Sequence, residues 1–335
     1  MDTHALDVAS RIPHGGTNDP HVIDFSANTN PESPSGVTPV YDAALAASRR
    51  YPSDDYGEFR SAAAEYVGCR PRSVIPTAGV MAGIRLLFSI VVDSDSTVVV
   101  PEPSFGEYAH EVRIQGGEPV GVAHDEVVDV DPSGHDLVIV CRPNNPTGEA
   151  VDATALCALA ERCRDAGSTL FVDEAFLDFT PLASITGEPG VVVARSLTKV
   201  FGLPGLRAGF LVATGDVRDR LDTGRVSWGM STPAVDVGAY CLQREEFVER
   251  TRERVASERD RVRDRLSTRW DVFPSDAPFL LFDVGEDDPD AVLDAAREGG
   301  IALRDARTFA GLDNHLRTAI RRPDENDRLL EALEV

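Results

Sequence analysis

Along this chain, short continuous apolar runs alternate with longer stretches in which apolar residues recur every three to four positions. Val80–Val92, after Gly79, has the helical spacing, and Ser96–Val100 is an unbroken apolar run that reads as a buried strand. The same reading gives a helix over Phe105–Gln115, a strand over Asp136–Cys141, a helix over Ala153–Ala166 and a strand over Thr169–Asp173. Val191–Ala194 and Ala208–Ala213 are further strands. This alternation predicts an α/β architecture with a mainly parallel central sheet. From Ser231 to about Arg269 the pattern is long, helical and highly charged, a natural bridge to a smaller α+β unit. That unit has strands near Phe279–Asp283 and Leu316–Ile320 and a last helix, Pro323–Leu333, with proline in its first turn. The opening stretch is rich in Gly, Pro, Asn and Ser and reads as an irregular arm. The expected division is an arm at 1–35, a large domain at 36–225 and a small C-terminal domain at 226–335.

Charge sharpens the picture. The 335 residues hold 56 Asp and Glu against 33 Lys and Arg, a net charge of −23. A field of that sign repels nucleic acid, so no nucleic-acid partner is expected. No apolar run approaches the ~20 residues of a membrane helix, and no basic start leads into an apolar stretch. A cytoplasmic protein without a membrane partner is the expectation. The five cysteines form no Cys-x-x-Cys pair, which predicts neither a disulfide framework nor a structural metal. Lys199 is the only lysine in the chain. An acidic surface stripped of lysine suits a salt-rich, halophilic cytosol, where screening makes self-repulsion tolerable. A lysine retained against that trend points to chemistry arginine cannot do, because an amine can lose its proton and act as a nucleophile.

Ligands of such sheets bind beyond the carboxyl ends of the strands, and three predicted strand ends here carry unusual polar residues. Asp136–Cys141 runs into Asn144-Asn145-Pro146-Thr147-Gly148, which taken alone is also an ordinary turn. Thr169–Asp173 ends on an acid that, if buried, needs a partner, and otherwise serves as a helix N-cap. Val191–Ala194 leads to Ser196, Thr198, Lys199 and Arg207, an amine with two hydroxyls and a guanidinium. Neighbouring cations lower the amine's pKa, and hydroxyls with arginine suit a phosphate.

In this order, Asn-Pro-Thr-Gly, Asp-Glu-Ala-Phe and Ser-x-Thr-Lys with Arg at plus eight resemble the fold-type I pyridoxal-phosphate enzymes of the aminotransferase class I/II family. The resemblance extends over DFSANTNP (24–31), RYPSDDYGEFR (50–60), PTAGVMAGIRLL (76–87) and LRTAIRRPDENDRLLEAL (316–333). It implies pyridoxal 5'-phosphate as cofactor, joined to Lys199 as a Schiff base. It implies Asp173 at the pyridine nitrogen, Asn145 at the ring hydroxyl oxygen and Phe105 stacked on the ring. Ser196, Arg207 and the N–H groups of Val80 and Met81 would hold the cofactor phosphate. Tyr51 would reach the phosphate of a neighbouring subunit, which implies a homodimer with shared sites. Arg317 would face the substrate carboxylate. One departure stands out: Phe176 occupies a place where many relatives have a tyrosine hydroxyl.

Within the family, His14-Gly15-Gly16 ahead of DFSANTNP, the DEAFLDF segment (173–179) and RSLTK (195–199) followed after four residues by PGLR (204–207) favour enzymes that decarboxylate L-threonine O-3-phosphate to (R)-1-amino-2-propanol phosphate in cobalamin biosynthesis, with the glycine N–H groups of the arm at the substrate phosphate. The alternative is an aminotransferase acting on histidinol phosphate or a related amino acid. Thr17 departs from the asparagine at that place in the decarboxylases. His14, Gly15, Gly16, Asn28, Arg304 and Arg321 are the candidates for the remaining substrate contacts, Arg304 and Arg321 for its phosphate. A non-catalytic regulator that binds the cofactor is disfavoured because no basic N-terminal helix pair is present.

Overall fold

The computed structural model describes residues 1–2, 6 and 11–335; positions 3–5 and 7–10 of the expected arm lie outside the described residues. The described strands are β1 (Ile23–Asp24), β2 (Val74–Thr77), β3 (Thr97–Glu102), β4 (Glu118–Ala123), β5 (Leu137–Cys141), β6 (Thr169–Asp173), β7 (Val191–Ser196), β8 (Gly209–Val212), β9 (Asp271–Val272), β10 (Phe279–Asp283), β11 (Ile301–Ala302), β12 (Arg304–Asp305) and β13 (His315–Ala319). The helices are α1 (Val37–Ala47), α2 (Gly57–Val67), α3 (Val80–Val91), α4 (Glu107–Gln115), α5 (Ala153–Ala166), α6 (Leu197–Val200), α7 (Gly215–Gly224), α8 (Thr232–Leu242), α9 (Glu245–Leu266), α10 (Pro289–Glu298) and α11 (Pro323–Ala332).

Seven strands form the central sheet in the order β2-β8-β7-β6-β5-β3-β4. All neighbouring pairs are parallel except those of β8, which runs antiparallel to both β2 and β7. Its central strands are continuous apolar runs because both faces are covered. On one face Ile84, Leu87 and Phe88 of α3 pack with Ile139, Phe171 and Leu211. On the other, Leu156, Leu159 and Cys163 of α5 pack with Val138, Leu170 and Val193. α5 starts where the Asp152 side chain accepts from Thr154 N–H at 2.7 Å and ends at left-handed Gly167.

Both edge strands escaped the sequence reading. β2 carries Pro76 and β4 carries Pro119 and Gly121, residues that argue against a strand unless it lies at an edge. The long charged helix also divides. α8 is capped by Ser231, whose hydroxyl accepts from Ala234 N–H at 3.3 Å. The chain breaks at Arg244, whose guanidinium covers the Tyr240 ring at 3.9 Å. α9 then restarts on Glu245 and Glu246, acids that suit a helix N-terminus.

A second sheet, β12-β13-β10-β9, is antiparallel throughout. Its outer cluster is small, with Leu281, Ala306 and Leu312. Its other face shares the largest apolar cluster with α2, α8, α9 and α11. The arm is not wholly irregular. β1 pairs in parallel with β11, and Phe25 both donates to Ala302 O at 2.9 Å and accepts from Ala319 N–H at 2.9 Å. Of the cysteines, Cys141, Cys163 and Cys241 are buried and Cys69 and Cys157 half-buried.

Candidate active site

The carboxyl ends of β5, β6 and β7 stand side by side, with Cys141 opposite Asp173 and Asp173 opposite Ala194. Beyond them lie two adjoining cavities. The inner one, about 150 Å³, is lined among others by Val80, Met81, Asn145, Asp173, Ser196 and Lys199. The outer one, about 310 Å³, is lined by arm residues Pro13, His14, Gly15 and Asn28 together with Arg304 and Arg317. Met81, Phe105, Asn145, Phe176 and Lys199 line both.

Local sequence sets the inner wall. Gly79 has φ 85° and precedes α3, so the first N–H groups of the helix, at Val80 and Met81, open without intrahelical partners. A Cβ on Gly79 would stand 2.6 Å from Arg207 Nη2, so only glycine lets the guanidinium lie against this helix end. Arg207 itself takes the left-handed conformation, φ 54° and ψ 58°, a strained state for a side-chain-bearing residue. Ser196 caps the single-turn helix α6, and its hydroxyl lies 2.8 Å from that of Thr198. Helix N–H groups, two hydroxyls and an arginine without a carboxylate partner among the described residues together suit a phosphate.

Asp173 lies at the far end of this cavity and is 4 % exposed. Its Oδ2 accepts from the Tyr108 hydroxyl at 2.7 Å and its Oδ1 from Ala175 N–H at 3.0 Å. Burial pushes its pKa up; the two donors and Lys199 oppose that. The ends of β6 and β7 are clamped together by a buried ion pair, Arg195 to Glu174 at 3.1 Å, which continues to Asp178. Lys199 projects from α6 with its amine 5.3 Å from the centre of the Phe176 ring. Burial, then Arg317, pushes its pKa down to about 8; Asp173 works the other way and Arg207 lowers it further.

The turn after β5 has two tasks. Asn145 Oδ1 accepts from Arg317 Nη1. Gly148, φ 88°, brings the backbone against Ser275, and its carbonyl accepts from Asp276 N–H at 2.8 Å. Arg317 also donates to Ser26 O at 3.0 Å and lies over Phe279 and Phe309. It faces Arg304 across β12 and β13. Burial, then Arg304, works against the Arg317 charge, yet a guanidinium keeps its proton. Neither arginine forms an ion pair with a carboxylate among the described residues.

The structure separates the remaining arm and arginine candidates. His14 lies over the outer cavity, bonded to Glu107 at 2.7 Å. Gly15 sits so close to Ser26 that a Cβ would lie 2.6 Å from its carbonyl oxygen. Gly16 N–H is already donated to Ser26 Oγ at 2.7 Å and Gly16 does not line the cavity, so it offers a substrate no free donor. Asn28 is buried with Oδ1 unpartnered. Arg304 lines the cavity and donates to Pro13 O at 3.0 Å and Thr308 Oγ1 at 2.8 Å. Arg321 does not line it: its guanidinium is held by Asp24 O and Glu325, both at 3.0 Å. Tyr51 is 81 % exposed and packs on Trp228 rather than on either cavity of its own chain. Sequence reasoning missed Tyr108, Ser26, Thr308 and Phe309; Tyr108 lies in the same turn as Phe105 and Ser26 within DFSANTNP, while Thr308 and Phe309 left no local trace.

An amine, a buried carboxylate and a phosphate cradle around one narrow cavity fit pyridoxal 5'-phosphate, and this fold and site define a pyridoxal-phosphate-dependent enzyme of fold type I. The chain belongs to the aminotransferase class I and II family, whose match spans residues 20–333. It is 30 % identical over 319 residues to histidinol-phosphate aminotransferase 1 of Archaeoglobus fulgidus, covering 93 % of this chain and 98 % of that one. It is 29 % identical over 341 residues to the threonine-phosphate decarboxylase of Salmonella typhimurium, covering 95 % and 92 %. The histidinol-phosphate aminotransferase of Sinorhizobium meliloti, solved with pyridoxal-5'-phosphate, superimposes with a TM-score of 0.83 at 23 % identity, over 92 % of this chain and 88 % of that chain. No helix among the described residues is long and apolar enough to cross a membrane.

Proposed function

We propose that the protein decarboxylates L-threonine O-3-phosphate to (R)-1-amino-2-propanol phosphate. The observation that carries this reading is the pair of facing arginines, Arg304 and Arg317, on the wall of the outer cavity without carboxylate partners. A substrate with both a carboxylate and a phosphate satisfies both cations; histidinol phosphate brings one anionic group. These local cations draw the anion in against a net charge of −23. The cofactor, when bound, supplies an electron sink for the substrate's α-carbon. Asp173 would sit at its ring nitrogen, Asn145 at its ring oxygen, Phe105 against its face, and Val80, Met81, Ser196 and Arg207 around its phosphate. Lys199, with its pKa brought down to about 8, would deliver a proton to the α-carbon at the place that departing CO₂ vacates. Arg317 holds the carboxylate, and that grip selects which substituent of the α-carbon departs. His14, Gly15, Asn28 and Arg304 close over the substrate phosphate.

Transamination of histidinol phosphate is the second reading, supported by the relative from Archaeoglobus fulgidus. An assay in concentrated KCl separates them. CO₂ release from L-threonine O-3-phosphate, with no glutamate formed from histidinol phosphate and 2-oxoglutarate, is the expected outcome. Glutamate without CO₂ sinks the decarboxylase reading.

The enzyme works as a homodimer in this proposal. Tyr51 and Trp228 are 81 % and 52 % exposed and in contact, and Val226 is 78 % exposed, so a second chain docked there would cover them. Sedimentation equilibrium at micromolar concentration is expected to give twice the 36.1 kDa chain mass; a monomer would remove Tyr51 from the site.

A further inference from the structure

We infer that Tyr108 is a positioning residue for the cofactor ring: its hydroxyl, donated to Asp173, holds that carboxylate charged and oriented so that the shared proton stays on the ring nitrogen. This rests on the reading that Asp173 faces that nitrogen.

The geometry around Asp173 leaves few other ways to keep it charged. It forms no ion pair among the described residues. Glu174, next in the chain, is turned to Ser184 and Arg195. Cys141, opposite Asp173 in the neighbouring strand, directs its sulfur to Pro143 O at 3.3 Å, and burial pushes its thiol up to about 12, so it stays neutral. Lys199 is the remaining charged group that faces Asp173. Two hydrogen bonds, from Tyr108 and Ala175, therefore do most of the solvating of a carboxylate that water does not reach. A carboxylate beside a ring nitrogen in a dry site has two arrangements. The proton rests on nitrogen with the carboxylate charged, or it moves to oxygen and both groups are neutral. Burial favours the neutral pair, and every donor to the carboxylate favours the charged one.

The Tyr108 hydroxyl donates to Asp173 and has the neutral Cys141 thiol as its other hydrogen-bonding neighbour. Tyr108 is fully buried, edge-on to Phe105 at 5.5 Å and to Phe171 at 6.4 Å. Burial, then the Asp173 charge, drives its pKa well above the usual phenol range. Its own N–H donates to Phe105 O at 3.0 Å, so one turn carries both the ring that walls the cavities and the hydroxyl that holds the carboxylate.

The test uses holoenzyme loaded with nitrogen-labelled pyridoxal phosphate and reads the ring-nitrogen NMR shift in the native protein, Tyr108→Phe and Asp173→Asn. The expected result is a protonated nitrogen in the native enzyme and a shift toward the unprotonated position in Tyr108→Phe. With it, kcat should fall roughly 10–100-fold at a nearly constant KM, the scale seen for groups that orient metal ligands. A Tyr108→Phe signal at the native position overturns the inference, because a purely structural hydroxyl would change stability and not the proton's place. An unprotonated nitrogen in the native enzyme, or no change in Asp173→Asn, instead removes the Asp173 reading beneath it. If Tyr108→Phe does not fold, replacing Tyr108 by p-aminophenylalanine keeps the shape with a weaker donor. It should shift the signal the same way by less, and an unshifted signal there also overturns the inference.

Discussion

Lys199→Ala is expected to lose the visible absorption band of the bound cofactor and about 10⁴-fold or more of the activity, since both a covalent anchor and a proton carrier go with one amine. No other lysine exists to stand in for it. A second measurement on the same variant probes the electrostatics without the cofactor. In the apoprotein Lys199 titrates at about 8, against 10.5 for an ordinary lysine, because burial and Arg317 disfavour its charge. Between those two values the unfolded chain holds a proton the native one has released, so this group makes native stability rise with pH across that window. Below about 8 the full penalty of the buried charge is present. Apo Lys199→Ala should therefore be more stable than the native apoprotein at pH 7, by up to about 3 kcal/mol less the packing lost with the side chain. The advantage should shrink as pH climbs from about 8 to 10.5. Urea unfolding at several pH values checks this. An advantage that grows with pH would reverse the assigned sign, and an unchanged visible band would remove Lys199 from the chemistry.

Arg304→Gln and Arg317→Gln are expected to fail in different ways. Truncating one partner of a desolvated charge pair costs roughly 2–5 kcal/mol, about 30- to several-thousand-fold in kcat/KM. For Arg317→Gln that loss should appear with L-threonine O-3-phosphate and with unphosphorylated L-threonine alike, because both carry the carboxylate. For Arg304→Gln it should appear with the phosphorylated substrate and nearly vanish with L-threonine. Arg321→Gln serves as the contrast. Its guanidinium is spent on Asp24 O and Glu325, so its effect should fall on stability and not on substrate discrimination. Equal losses for both substrates in Arg304→Gln would take the phosphate away from that residue.

What the sequence disclosed follows from where each signal is stored. β6 and α5 were legible to the residue, because an unbroken apolar run and a periodic segment between Asp152 and Gly167 are properties of the chain alone. β2 and β4 were not, because their proline and glycine are permitted only by lying at sheet edges, a fact of assembly. The same division holds at the cavities. Lys199, Asp173, Asn145 and Arg207 come from short segments at strand ends, so their types and spacing suffice to bring them into view. Thr308 and Phe309 reach the outer wall from a distant part of the chain with no local mark, while Ser26 lies in DFSANTNP without its own role being readable there. The register of β12 on β13 decides that Arg304 meets Arg317, while Arg321 lies past the strand end and is drawn into the start of α11. No count of arginines in the sequence distinguishes these three.

The pairing of β1 with β11 also sets an order of events during synthesis. Residues 23–25 leave the ribosome long before their backbone partners at 300–302 and 319. The central sheet, with partners confined to residues 74–212, can close well before then. The arm has to wait until those partners emerge, since domains fold as units. The cradle for the cofactor thus precedes the roof over the substrate, and a nascent chain lacking its final strand carries Lys199 under an open mouth.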